Sequence, residues 1–279
     1  METLLIFILM HLIGDFYLQT AANSKCKNSK FNEEDGKCQK CKKCINNKLW
    51  FLVELAKHVG FYLIPFIFCV FFIKIQFAIL FIFIVGITHY IIDLFSIILK
   101  KKFSHNTIFF IIDQMIHILV FVLLNYFYIC KAKYLNDVPI LQCIESIINL
   151  KIDELFIQRL VLFTLLLKPA GVFIDIVFSD INFEKKDDGD KQKCNTHNEK
   201  SDKSSISKKY KVGYIIGILE RIIVCIFVVF SEYTVIGFII TIKTWARSRE
   251  LKDKSEFREK YLTGTLLSIL IAIIVGVLF

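Results

Sequence analysis

Long apolar runs, each closed by a polar or basic stretch, set the pattern of this chain. The first runs from about Leu4 to Thr20, and a polar loop rich in Lys, Asn and Cys follows over residues 21–48. From Leu49 a helical pattern passes through Glu54, Lys57 and His58 into an apolar run ending near Lys74. Ile75 to Leu99 and Asn106 to Cys130 come next, separated by the basic cluster Lys100 to Lys102. At about 1.5 Å per residue, Asn106 to Cys130 is long enough to cross a hydrocarbon core of about 30 Å. These four segments predict a membrane module over residues 1–130. Residues 131–183 read as a connection, whose apolar part from Leu155 to Phe183 predicts a pair of short helices broken at Pro169 and Gly171. A solvated linker over residues 184–211 leads to a C-terminal membrane module over 212–279. That module reads as apolar segments Gly213 to Phe230 and Glu232 to Thr244, a charged amphipathic helix from Arg247 to Lys260, and a last span from Leu262 to Phe279. The expected class is all-α, a polytopic integral membrane bundle of about seven hydrophobic helices in two modules.

Composition supports this class. Hydrophobic residues make up 55% of the chain, above the share of about 45–50% in soluble domains. The net charge of +9 would suggest a nucleic-acid partner in a soluble protein. No basic groove interleaved with aromatics accompanies it, so no nucleic-acid partner is expected and the charge is assigned to cytoplasmic loops. The chain opens apolar, with neither a basic leader nor a small-residue cleavage site, which predicts that the first segment is retained as a helix. By the positive-inside rule, the stretches Lys25 to Lys43, Lys100 to Lys102 and Arg247 to Lys260 face the cytoplasm and the Lys74 turn lies outside. Helices one and three then run inward, and helices two and four outward. The expected location is the bacterial cytoplasmic membrane, with several passes.

Within the apolar segments stand His11, Asp15, His58, His89, Asp93, Asp113 and His117. Ionisable groups are costly in hydrocarbon and mark a site or a path through the bundle. His11 and Asp15, His89 and Asp93, and Asp113 and His117 are each four residues apart, which places both members of each pair on one helix face. The order is His then Asp in the two inward helices and Asp then His in the outward one, the reversal that antiparallel helices need to match depths. Counted along the helices, the aspartates lie about 8–10 Å deep and the histidines of the pairs about 14–16 Å, so two ligand layers are expected. Imidazole and carboxylate together suit Zn, Mn or Fe, and this set suffices for up to two ions in a bundle core. Such a centre activates water and clamps the oxygens of a displacement, the chemistry of a hydrolase. One of Asp15, Asp93 and Asp113 would serve as general base, with Gln19 and Gln114 orienting the ligands. Two other readings stand beside this one: interhelical hydrogen-bond glue, and a proton or ion path.

The motifs His11-Leu-Ile-Gly-Asp15-Phe-Tyr-Leu-Gln19, Lys57-His58, Thr88-His89-Tyr-Ile-Ile-Asp93 and Asp113-Gln114-Met-Ile-His117 resemble the bacterial membrane family catalogued as domain of unknown function 3307, over residues 1 to about 130. Gly213-Tyr-Ile-Ile-Gly217-Ile-Leu-Glu220-Arg221, with Lys243 to Arg247 and Thr263-Gly264-Thr265, looks like the C-terminal module that often accompanies that domain. The resemblance implies an architecture and no activity. Through the repeated His-x-x-x-Asp pattern the chain is also similar, more weakly, to membrane-bound metal-dependent hydrolases, which by analogy adds weight to a hydrolase.

Cys26, Cys38, Cys41 and Cys44 supply four thiols in one polar loop, enough for a structural zinc, with free thiols on a solvated insert as the alternative. In the second module Gly213 and Gly217 form a small-xxx-small face suited to close helix packing. Glu220 and Arg221 diverge by about 100° on their helix and are expected to pair with different groups, Lys243 or Arg247 among them, either to fix packing or to bind an anion. The expected function is a metal-dependent hydrolase acting on an amphipathic or phosphorylated substrate at the cytoplasmic face. Its partners would be membrane lipid and a small-molecule or lipid substrate, with a second copy or a soluble cytoplasmic protein as candidates. The alternative is a non-enzymatic membrane protein, either a proton or ion carrier or a sensor or scaffold subunit.

Overall fold

The computed structural model describes residues 2–19, 48–68, 75–100, 106–126, 153–181, 199–253 and 255–279. Every regular element among them is helical: α1 (Glu2–Leu12), α2 (Lys48–Tyr62), α3 (Ile75–Lys100), α4 (Asn106–Leu124), α5 (Glu154–Asp180), α6 (Glu199–Val229), α7 (Tyr233–Ala246), α8 (Ser248–Asp253) and α9 (Ser255–Leu278). The stretches Ala78–Ser96, Asn106–Leu124, Glu154–Asp180 and Arg258–Leu278 are long and apolar enough to cross a membrane, and Thr3–Tyr17 and Tyr233–Ala246 are apolar but shorter. This is the make-up of a helical membrane protein. The chain divides into two compact units, Met1–Thr164 and Leu165–Phe279. The cysteine loop, with Cys26, Cys38, Cys41 and Cys44, lies outside the described residues.

Several boundaries differ from the sequence expectation, each for a local reason. After Leu12 the first helix widens into a π-helical turn, Ile13–Tyr17, in which the Leu18 N–H donates to the Ile13 carbonyl at 3.1 Å. The second helix was expected to reach Lys74 but ends at Tyr62. Pro65 lacks an N–H and restricts the residue before it, so the chain passes into a tight 3-10 turn, Pro65–Phe68. The expected pair of short helices after Leu155 is one continuous helix, α5, that carries Pro169 inside it. The linker expected to run to residue 211 is helical from Glu199, since residues 199–212 hold neither Gly nor Pro to stop the helix extending back from Gly213. The charged stretch from Arg247 to Lys260 is not one separate helix. It is split between α8 and the first turns of α9, with nothing to break the chain between Ser255 and the apolar run.

In the first unit the core is an aromatic block of Phe7, Tyr62, Phe66, Phe81 and Phe121 with Met10, Ala78 and Val85. Phe7 and Phe81 stand N-terminal to His11 and His89, whereas Phe121 stands C-terminal to His117. The rings of Phe7 and Phe81 lie 4.6 Å apart and those of Phe7 and Phe121 6.3 Å. An apolar layer on one side of the histidines is therefore built with α4 antiparallel to α1 and α3.

In the second unit α6 packs along α9 at the points where glycine permits it. A Cβ on Gly276 would sit 2.7 Å from the Val228 Cβ of α6, and on the same helix a Cβ on Gly264 would sit 2.7 Å from Phe178 of α5. Gly213 meets nothing within 4 Å, and Gly217 meets only Arg221 of its own helix, so the small-xxx-small face expected there is not a close helix contact. Helix α6 ends with Ser231 in the left-handed region (φ 60°), the Ser231 N–H donating to Val228 O and the Glu232 N–H to Phe227 O, and this turns the chain directly into α7.

Glu220 pairs with Lys243, Nζ to Oε2 at 2.5 Å, one of the partners expected from the sequence. Arg221 does otherwise. It is 4% exposed and donates from Nε to the Leu166 carbonyl and from Nη2 to the Leu167 carbonyl, both at 2.9 Å. Pro169 has no N–H for the Leu165 carbonyl and its ring pushes open the turn before it, and the arginine binds the next two carbonyls of that turn. Arg221→Ala is expected to cost about 1–3 kcal/mol, read as a lower melting temperature in detergent, because two buried acceptors lose a charged donor. In a Pro169→Ala background the same change is expected to cost less, and additive losses in that double-mutant cycle would show that the arginine does not act on the proline turn.

Candidate metal centre

The four histidines and three aspartates of the cluster are buried, none more than 6% exposed, and they converge from α1, α2, α3 and α4 and the π-helical turn after α1. The π-helical turn holds Asp15, helix α2 holds His58, α3 holds His89 and Asp93, and α4 holds Asp113 and His117. Gly14 makes this approach possible. A Cβ there would lie 2.7 Å from both the Tyr62 carbonyl oxygen and its ring, so only glycine lets the π turn reach the end of α2.

The closest donor atoms form one cage. His58 Nε2 lies 3.3 Å from Asp15 Oδ1, 3.5 Å from Asp93 Oδ2 and 3.5 Å from His89 Nε2, and His89 Nε2 lies 3.6 Å from Asp93 Oδ2. A tetrahedral ion with ligands at about 2.0–2.2 Å separates its donors by about 3.3–3.6 Å, the edge of that tetrahedron. Two groups, Asp15 with His58 and His89, and His89 with Asp93 and His117, each have ligand atoms within 4.8 Å of one another. The donor set of neutral imidazoles and carboxylates fits a borderline divalent ion.

His117 is held for such a role. Its Nδ1–H donates to the Asp113 backbone carbonyl at 2.9 Å, which fixes the tautomer and leaves the lone pair on Nε2, a buried atom with no hydrogen-bond partner. Asp113 lies beside the cage. Its Oδ1 accepts from Ser96 Oγ and its Oδ2 from Gln114 Nε2 at 3.3 Å. Gln114 Nε2 also donates to Asp15 Oδ2 at 3.3 Å. His11 sits apart from the cage atoms, with Nδ1 3.1 Å from the Tyr62 hydroxyl and Nε2 3.3 Å from Gln114 Oε1. Gln19 lies past the π turn and makes no hydrogen bond to the cluster among the described residues.

Two residues of the site were not anticipated. Tyr62 stacks its ring on His89 with centroids 3.6 Å apart and planes at 5°, and Ser96 anchors Asp113. The spacing held a signal for both, since Tyr62 is four residues beyond His58 and Ser96 three beyond Asp93, which places each on its helix's inward face. Glu220, Arg221, Lys243 and Arg247 belong to the second unit.

Fold and site together define an all-helical membrane protein with a buried imidazole and carboxylate cluster at the centre of its first four helices. Residues 3–139, a segment that contains the whole cluster, match the family described as "Protein of unknown function (DUF3307)". No curated protein and no solved structure matches the chain.

Gly14→Ala is expected to force α1 and α2 apart and to lower stability by about 1–3 kcal/mol, the usual cost of overpacking. Gly60→Ala, where a Cβ meets nothing within 4 Å, is expected to leave stability unchanged or raise it by up to about 1 kcal/mol. Equal melting temperatures for the two variants in detergent would show that the close approach at Gly14 is not a constraint.

Proposed function

We propose that the protein is a membrane-embedded metal-dependent hydrolase, acting on an amphipathic or phosphorylated substrate at the cytoplasmic face of the bacterial membrane. The observation that carries this reading is that His58 Nε2 stands 3.3–3.5 Å from Asp15 Oδ1, His89 Nε2 and Asp93 Oδ2, with His89 Nε2 3.6 Å from Asp93 Oδ2, separations that donors on one tetrahedral ion would have. The full architecture in this reading is a bundle of about seven membrane helices in two modules, the cysteine loop carrying a separate structural zinc. Membrane lipid surrounds it, and a second copy or a soluble cytoplasmic protein is its candidate partner.

Zn, Mn or Fe bound in the cage supplies Lewis-acid polarisation of a carbonyl or phosphoryl oxygen. The chain's own groups do the rest. The aromatic layer of Phe7, Phe66, Phe81 and Phe121 excludes water from one side of the cluster. With Asp15 and Asp93 turned into the cage, Asp113 is the carboxylate left beside it as proton acceptor, its oxygens oriented by Ser96 and Gln114.

One geometric fact favours the second reading, a proton or ion carrier. His58 Nε2 stands within 3.5 Å of two carboxylates, as an imidazolium between two anions would. Elemental analysis of the detergent-purified chain separates the two. The hydrolase reading expects a divalent ion retained in wild type, lost in the folded Asp15→Ala/His89→Ala double variant, and accompanied by cleavage of phosphoester or lipid probes that the double variant abolishes. Changing the four loop cysteines to serine is expected to remove only the structural zinc. A chain that carries no ion in the cluster under gentle purification, and moves protons or cations across proteoliposomes, would sink the hydrolase.

A further inference from the structure

The hydrogen bonds around His11 fix one another in sequence. Gln114 meets two carboxylate oxygens, Asp15 Oδ2 and Asp113 Oδ2, each at 3.3 Å. Only its amide N–H groups suit that side, because a carbonyl oxygen there would face two anions. The Gln114 Oε1 therefore faces His11 Nε2 at 3.3 Å, and an oxygen that can only accept requires Nε2 to carry the hydrogen. A neutral imidazole with its proton on Nε2 keeps its lone pair on Nδ1, and that lone pair receives the Tyr62 O–H at 3.1 Å. Both ring nitrogens are then used, and His11 has no lone pair left for an ion.

The same count limits how many ions the centre holds. The two groups of candidate ligands share His89, and Asp93 Oδ2 lies within 3.6 Å of both His58 Nε2 and His89 Nε2, so the groups merge into one cage. Neither group contains His11 or Asp113, so the donors gathered there are Asp15, His58, His89, Asp93 and His117. Because His89 belongs to both groups and an imidazole nitrogen lone pair serves one ion, the two groups cannot both be filled with three ligands as they stand.

We infer that the centre holds a single divalent ion on Asp15, His58, His89 and Asp93, with His117 beside it, and that His11 is a positioning residue whose chain Tyr62–His11–Gln114 sets which oxygen Asp15 turns to the ion. The inference rests on the metal reading proposed above and replaces its upper limit of two ions with one. Asp15 Oδ2 is held by Gln114, which leaves Oδ1 facing His58 Nε2 at 3.3 Å. Loss of the far end of this chain would let Asp15 rotate without removing any ligand.

The test loads the metal-free, full-length protein in detergent with Co(II) alone, with Cys26, Cys38, Cys41 and Cys44 changed to serine in the otherwise wild-type chain and in every variant so that the loop takes up no ion, reading the ion count by elemental analysis and the coordination by the visible absorption of Co(II). Wild type is expected to take up one Co(II) per chain with the intense bands of a four- or five-coordinate site. Tyr62→Phe keeps the ring that stacks on His89 and removes only the hydroxyl. It is expected to retain one ion with shifted bands and an affinity weaker by about 10–100-fold, the range for groups that orient ligands. His58→Ala, with helicity and melting checked, is expected to lose the ion. Two Co(II) per chain in wild type would overturn the single-ion assignment. Tyr62→Phe matching wild type in affinity and spectrum, or folded His11→Asn losing the ion as completely as His58→Ala, would overturn the positioning role. A wild-type chain that binds no Co(II) would instead remove the metal reading itself, a result distinct from the other three.

Discussion

A carboxylate placed among apolar helices must find donors, a cation or a proton, because no solvent is there to supply them. This requirement organises the first module. Asp93 is fully buried and faces two imidazoles, while Asp15 and Asp113 are joined by one glutamine amide. No single helix can satisfy three such groups, so α1, α2, α3 and α4 have to meet at one level. Close approach at Gly14, the aromatic layer beyond the histidines and the stacking of Tyr62 on His89 all follow from bringing four helices within side-chain reach of one point.

Much of that cluster was legible because helical periodicity projects residues four apart onto one face, and the reversed order of Asp and His in α4 matched an antiparallel helix. What the sequence could not convey was the backbone at Asp15. A 3.6-residue period was assumed throughout, yet Gly14 and Asp15 sit in a wider π turn, a departure that recurs at functional sites and has no residue pattern of its own. Pro65 did signal the end of α2. The apolar run beyond it, which resembles the run before it in composition, concealed that signal.

The expected two layers of ligands also need revision. Four residues of helix separate backbone positions by about 6 Å along the axis, which places aspartates and histidines at different depths. Side chains close the gap: His89 Nε2 and Asp93 Oδ2 are 3.6 Å apart although their backbones differ by a full turn. His58, the histidine with no aspartate partner in its own helix, fills the space between Asp15 of α1 and Asp93 of α3. Depth counted along the backbone therefore overstates the separation of groups whose long side chains lean toward each other. The function of a site like this depends on where the side-chain tips meet.

The second module shows which partners a sequence can reveal and which it cannot. Glu220 and Lys243 are opposite charges on apolar helices, and residue types alone point to their meeting. Arg221 forms no ion pair among the described residues, and the Asp175 carboxylate of α5 acts on it only from beyond contact distance. The arginine is the more deeply buried of the adjacent pair, and it finds backbone carbonyls, which every residue carries and no sequence pattern marks. Those carbonyls are accessible because Pro169 disturbs the turn that contains them, and α5 remains one helix while a guanidinium bonds that turn. Reading Pro169 and Gly171 as a break assumed that the loss of one backbone hydrogen bond ends the helix. A buried arginine on the next helix does not replace the bond lost at the Leu165 carbonyl, but it ties the two carbonyls that follow to α6, and in hydrocarbon the guanidinium and that turn stabilise each other's place in the fold.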